Sequence, residues 1–169
     1  MSEKHRRYFL KDKEAKAVLN QAAKKLKLDE AQFSKDRKNL EVVEAQTGSL
    51  FLVDSKPLLL KAGNDIFPAL TDEKLLSSIP KAVVDMGAVP YVCKGADVMS
   101  PGIRRFDGEF LQGDIVLVVD EKHGKPIAVG EALHDSTEAK SMKHGPVLRN
   151  VHFVGDTLWN LMKQTTSKA

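Results

Sequence analysis

The chain is poor in the residues that most enzymes and metal proteins display. It has one cysteine in 169 residues, Cys93, so no internal disulfide can form, and a reducing, cytoplasmic setting is expected. There is no Cys-x-x-Cys. None of the five histidines (His5, His123, His134, His144, His152) pairs with Cys93 at zinc-ligand spacing, so no metal is expected. No Gly-x-x-x-x-Gly-Lys-Ser/Thr loop and no Gly-x-Gly-x-x-Gly after a strand occurs, which leaves nucleotide cofactors without a cradle. No apolar run approaches the length of a membrane span. The opening stretch MSEKHRRYFLKDKEAK places charges on both sides of a three-residue apolar patch, so no signal peptide is expected. Aromatics make up 6%, with a single tryptophan, Trp159, and neither an internal repeat nor a low-complexity segment is present.

What remains is ordinary globular material, 42% hydrophobic and 29% charged, long enough for one domain or two small ones. The net charge of +3 is unevenly spread. Residues 1–47 carry 12 Lys+Arg against 8 Asp+Glu, whereas residues 88–169 carry ten of each. Nucleic-acid binding by the second half therefore requires a local cationic patch, because the half as a whole offers no basic field.

The first half reads as a small α+β unit. Ala15, Val18, Leu19, Ala22 and Leu26 recur at helical spacing from Asp12 to Leu28, with Asp12 as a candidate cap and Lys24, Lys25 and Lys27 in the last turns. Residues 40–45 and 50–53 are strands joined through Thr47-Gly48-Ser49, and Leu58-Leu59-Leu60 adds a third. A short helix runs from Thr71 to about Leu76, and Ser77-Ser78-Ile79-Pro80 marks a boundary, giving domains 1–79 and 80–169.

The second half reads as a small barrel of short strands. Ile115-Val116-Leu117-Val118-Val119 is a near-continuous β-branched run, the mark of a strand buried on both faces. Residues 121–125 form a hairpin loop, and Pro126 to Gly130 pairs back. Asp135-Ser136-Thr137-Glu138 has the capping-box pattern of a helix ending before Gly145. Val147 to Phe153 and Thr157 to Leu161 are expected as strands around Gly155-Asp156, with Trp159 packing the barrel's end and Gln164 to Ala169 frayed.

The densest signal is GAVPYVCKGADVMSPGI, Gly87 to Ile103, set between Lys81-Ala82-Val83-Val84-Asp85 and the pair Arg104-Arg105. A short helix closed by a left-handed Gly95, a strand over 97–100 and a Pro101-Gly102 turn follow one another. Small side chains there let a sugar or phosphate come close. Lys94 and the two arginines can flank one groove, and Tyr91 offers a face for an unpaired base. Lys140, Lys143, His144 and Arg149 form a second basic group. Catalysis finds no comparable constellation. Cys93 lies on an apolar segment as a structural thiol, and Asp85 and Asp97 suit capping and turn roles.

The run KGADVMSPGI, followed by GDIVLVVDEKHGKPIAVGEA and HFVGDTLW, closely resembles the PUA domain, named for pseudouridine synthases and archaeosine transglycosylases. With the piece before it, the layout is similar to the archaeal relatives of the malignant T-cell amplified sequence proteins. The resemblance implies a pseudo-barrel with two short helices. It also implies RNA contact, often at a tRNA acceptor end, through Tyr91, Lys94, Gly95, Ala96, Met99, Pro101 and Gly102. Arg104 and Arg105 join that set on physical grounds, with Lys143 and Arg149 extending it.

Three functions follow. The first is a non-enzymatic RNA-binding protein that acts at the small ribosomal subunit in initiation or recycling, with tRNA or rRNA as ligand and a protein partner on the N-terminal domain. The second is an accessory RNA-binding subunit of a tRNA-modifying enzyme such as archaeosine transglycosylase, whose catalytic barrel cannot fit in 169 residues. The third is a protein-interaction module without RNA binding, to which the neutral second half is suited.

Overall fold

Residues 5–35 and 37–167 are described by the computed structural model, and the chain divides into two compact units, Met1–Asp72 with Thr157–Ala169, and Glu73–Asp156. Residues 1–4 of the charged opening stretch, and the end of the expected frayed tail at 168–169, lie outside the described residues.

Five strands build the first unit: β1 (Arg6–Phe9), β2 (Glu41–Ala45), β3 (Gly48–Val53), β4 (Lys56–Ala62) and β5 (Asp65–Pro68), paired antiparallel in that order. Two of them escaped the sequence reading, which found three. β1 is short and charged, with no apolar alternation to announce it. It is held to β2 by side chains 34 positions away: Arg7 Nε donates to Glu41 Oε2 at 2.6 Å and Arg7 Nη2 to Glu41 Oε1 at 3.1 Å. That hydrogen bond raises the guanidinium pKa above its usual value. β5 is short and carries a proline, a residue that argues against a strand; Pro68 ends an edge strand, where a missing N–H is tolerated.

Two helices follow β1: α1 (Asp12–Lys25) and α2 (Glu30–Lys35), the second unforeseen. Helix α1 ends earlier than expected, because Lys27 takes a left-handed φ of 59° that breaks the ladder. Asp12 is its first helical residue and not its cap; Lys11 holds that position with no side-chain hydrogen bond.

Helix α3 (Glu73–Leu76) opens the second unit, whose six-stranded sheet has the order β7-β11-β10-β9-β6-β8. In chain order its elements are β6 (Lys81–Val84), α4 (Val89–Val92), β7 (Val98–Met99), a 3₁₀ turn (Ser100–Gly102), β8 (Ile103–Asp107), β9 (Ile115–Asp120), β10 (Pro126–Ala132), α5 (Ser136–Ser141) and β11 (Pro146–Phe153). The two end strands, β7 and β8, are joined by only three residues. Such a link spans on the order of 10 Å, so the sheet must curl until its ends meet. This is the expected mainly-β pseudo-barrel, with the short helices α4 and α5 set between its strands, and the first unit is the expected α+β one. All six residues of β9 are buried, as the β-branched run predicts, and Val116 and Val118 share a core with Val84, Val98 and Leu148.

Two expectations fail here. Asp135 does occupy the cap position of α5, but its Oδ1 accepts the N–H of Gln112 at 2.7 Å instead of a helix N–H. Thr157–Ser167 is a helix, α6, and not a strand. Its buried residues, Leu158, Leu161 and Met162, recur at helical spacing, and the helix packs on β3 and β4 of the first unit. Leu158 covers Gly48, where a Cβ would lie 3.0 Å from Leu158 Cδ2. The expected domain 80–169 thus loses its last thirteen residues to the first unit, and Trp159 goes with them. Trp159 lies beneath Lys163, 5.5 Å from Nζ to the ring centroid, and closes no barrel end.

Candidate RNA interface

The glycine-rich corner folds around a few backbone contacts. As β6 ends, Asp85 N–H donates to the Gly102 carbonyl at 2.9 Å, tying it to the 3₁₀ turn. Asp85 Oδ1 then accepts the Ala88 N–H at 2.8 Å and starts α4, where Pro90 suits the first turn. The exit is a tight reversal: Ala96 N–H donates to the Tyr91 carbonyl at 3.1 Å, with Gly95 at φ +98°. Only glycine adopts that angle without strain, and a Cβ there would also meet Phe153 Cε1 at 3.2 Å.

One residue that the sequence reading missed holds this corner. Asn150 on β11 donates its Nδ2 to the carbonyls of Val92 and Ala96, both at 3.0 Å, and its N–H to Asp97 Oδ1 at 3.0 Å. No local pattern betrays a partner more than fifty positions away. Asp85 and Asp97 therefore take the capping and turn roles expected of them.

Two hollows flank the Ser100–Gly102 turn. The larger, a cleft of about 400 Å³, is lined by Tyr91, Ala96, Met99, Pro101 and Gly102 of the predicted set, together with Asp85, Gly87, Ala88, Val92, Asp97 and Val98. Tyr91 is 69% exposed and Met99 47%. Large apolar groups left in solvent side by side are characteristic of a binding surface. The smaller hollow, about 170 Å³, lies between β8 and α5 and is lined by Ser100, Ile103, Arg104, Arg105, Phe106, Ala139, Lys140 and Met142.

The arginines thus do not edge the cleft, as the sequence predicts; they line its neighbour. Arg104 Nε donates to Glu121 Oε2 at 3.0 Å and Arg105 Nε to Asp107 Oδ1 at 3.2 Å. Both pairs are well exposed, so each is worth about 0–1 kcal/mol and can be exchanged for another anion. Lys94 and Gly95 are exposed beyond α4, outside the cleft lining. Lys143 is exposed after α5, and Arg149 is half-buried on β11 with Nη2 3.3 Å from Glu131 Oε1. Burial pushes the Cys93 thiol pKa up, which favours the unreactive protonated form. Among the described residues no three His, Cys, Asp or Glu side chains are grouped to hold a metal ion, and no helix is long and apolar enough to cross a membrane.

Comparison with known proteins places these features. The PUA domain profile matches residues 80–154, and a domain of unknown function, DUF1947, matches residues 6–72. An uncharacterized protein of Methanocaldococcus jannaschii is 38% identical over 159 residues, 92% of this chain and 96% of that protein. The structure of a PUA domain protein from Aeropyrum pernix, solved as a tartrate complex, superposes with a TM-score of 0.82 at 27% identity, covering 96% of this chain and 94% of that one. Translation machinery-associated protein 20 of Saccharomyces cerevisiae is 31% identical over 121 residues, 66% of this chain and 65% of the yeast protein. The chain therefore belongs to the PUA proteins, with a DUF1947 domain before its PUA domain, and its homologues include archaeal PUA proteins and the yeast protein of the malignant T-cell amplified sequence family.

Proposed function

We propose that this protein binds RNA without chemistry of its own and acts at the small ribosomal subunit during initiation or recycling. The observation that carries the reading is the pair of hollows on one turn of the PUA domain. An open cleft with an exposed tyrosine lies on one side, and a lysine and two weakly paired arginines lie on the other. An unstacked base can enter the first while the strand's phosphates reach the second, the division of labour common to proteins that read single-stranded RNA ends. Tyr91, Ala96, Met99, Pro101 and Gly102 form the base side, Arg104 and Arg105 the phosphate side, with Lys94, Lys143 and Arg149 along the approach. The ligand is a tRNA acceptor end or rRNA, and the N-terminal unit is the surface for a protein partner. Similarity to the yeast translation machinery-associated protein supports the ribosomal setting.

The test is tRNA binding measured at several salt concentrations, followed by co-sedimentation with ribosomal subunits. Contact with several phosphates makes affinity fall steeply as salt rises. A flat response, or no binding, overturns the RNA reading. Steep binding to tRNA without co-sedimentation overturns the ribosomal setting and leaves an accessory subunit of a tRNA-modifying enzyme.

A further inference from the structure

The lining of the cleft carries two carboxylates, Asp85 and Asp97, and no cation. Each has one oxygen occupied, Asp85 Oδ1 by the Ala88 N–H and Asp97 Oδ1 by the Asn150 N–H. Among the described residues, the second oxygen of each receives no hydrogen bond. Both carboxylate residues line the cleft together with the exposed Tyr91 and Met99. A phosphate is repelled from such a place. A carboxylate accepts hydrogen bonds and donates none, so whatever stacks on Tyr91 must bring donors.

From this we infer that the cleft selects a nucleobase with an exocyclic amine, guanine, adenine or cytosine, and rejects uracil, with Asp85 and Asp97 as the specificity-determining residues. The inference rests on the RNA reading above and sharpens it. Guanine presents two adjacent donors, N1–H and N2–H₂, that match a carboxylate. Adenine and cytosine each present one amine, and carboxylates accept from cytosine N4 in known recognition. Uracil has a single N–H between two carbonyl oxygens, which face the carboxylates with like partial charge. The cations across the Ser100–Gly102 turn then hold the backbone, so base choice and strand binding come from different side chains.

The experiment measures binding of the intact protein to a uridine octamer and to the same octamer with one central guanosine, inosine, adenosine or cytidine. The amine-bearing octamers are expected to bind more tightly than the uridine octamer, on the order of tenfold for guanosine, and inosine, which lacks the N2 amine, less tightly than guanosine. In the double variant Asp85→Asn, Asp97→Asn the hydrogen bonds to Ala88 and Asn150 can persist through the amide oxygen, while the new NH₂ groups donate. The preference is expected to vanish or turn toward uridine, with the thermal midpoint confirming a folded protein. Equal, measurable affinity for all octamers overturns the selectivity and leaves RNA binding intact. A preference that survives in the double variant, or in Tyr91→Ala, overturns its assignment to this cleft. Binding of an arginine-rich peptide at Tyr91 with no binding of any octamer overturns both readings and assigns the cleft to a cationic side chain.

Discussion

The two hollows beside the Ser100–Gly102 turn share a wall and differ in almost everything else. The cleft is the larger, open and apolar, with Asp85 and Asp97 as the charged groups among the described residues of its lining. The hollow between β8 and α5 is smaller and edged by Arg104, Arg105 and Lys140. A uniformly basic groove binds any polyanion, whereas separation lets one side supply affinity and the other discriminate. The separation also explains how a domain with balanced charge can hold a polyanion: the cations need only be collected at one place.

The comparison can be broken most severely at Gly95. Gly95→Val forces a β-branched residue to φ +98° and drives a side chain toward Phe153, which should cost roughly 1–3 kcal/mol in backbone strain alone. Denaturant unfolding should show that loss together with loss of RNA binding. Full stability in the variant would mean that the cleft wall does not depend on this reversal.

Tyr91→Ala tests the apolar side by itself. The ring is mostly exposed, so stability should hardly change, while RNA affinity drops by about 1–3 kcal/mol with an unaltered salt dependence. The opposite hollow is tested by changing Arg104 and Arg105 together to Ala. Affinity should weaken about equally for every RNA sequence, and the salt slope should fall by about 0.7 for each single-strand phosphate no longer neutralised. Weakening by either variant that depends on the wrong variable, base identity for the arginines or salt for the tyrosine, would dissolve the distinction between the hollows.

The smallest effect is expected at Asp120, which orders the loop carrying Glu121 toward Arg104. Its carboxylate accepts the His123 N–H, and that bond, with further backbone bonds from Lys125 and Lys122, holds its pKa below the ordinary value despite burial. A depressed folded pKa contributes stability above the unfolded value of about 3.9, and that stability is lost as pH falls through the folded pKa. Asp120→Asn should therefore lower the thermal midpoint modestly at neutral pH, and the gap from the parent should close in strong acid. A gap that stays constant down to about pH 2 would rule out the carboxylate's charge as its source.

Elements with a local cause were legible in the sequence. The β-branched run of β9, the left-handed Gly95 and the Pro-Gly turn each follow from neighbours within a few residues. Features made by distant partners were not. Strand β1 depends on Glu41 and Glu44, and the corner depends on Asn150. Adjacency in sequence suggests that the arginines flank one groove with Lys94, but they lie on a strand, and Arg104 finds its anion seventeen residues later. Helix α6 shows the other kind of miss: the spacing of Leu158, Leu161 and Met162 was visible, yet the Gly155-Asp156 turn invited a hairpin reading. Of the predicted site residues, the structure gathers Tyr91, Ala96, Met99, Pro101 and Gly102 around one cleft and puts the cations elsewhere.

Asn150 gives the corner an unusual dependence. The side-chain amide of Asn150 on β11 spans the exit of α4, and the backbone N–H of the same residue pins Asp97, so three anchor points of the loop answer to one residue. Whatever tugs on that strand is transmitted to the mouth of the cleft without passing through the intervening sequence. A ligand seated there would, in return, stiffen a strand it never touches.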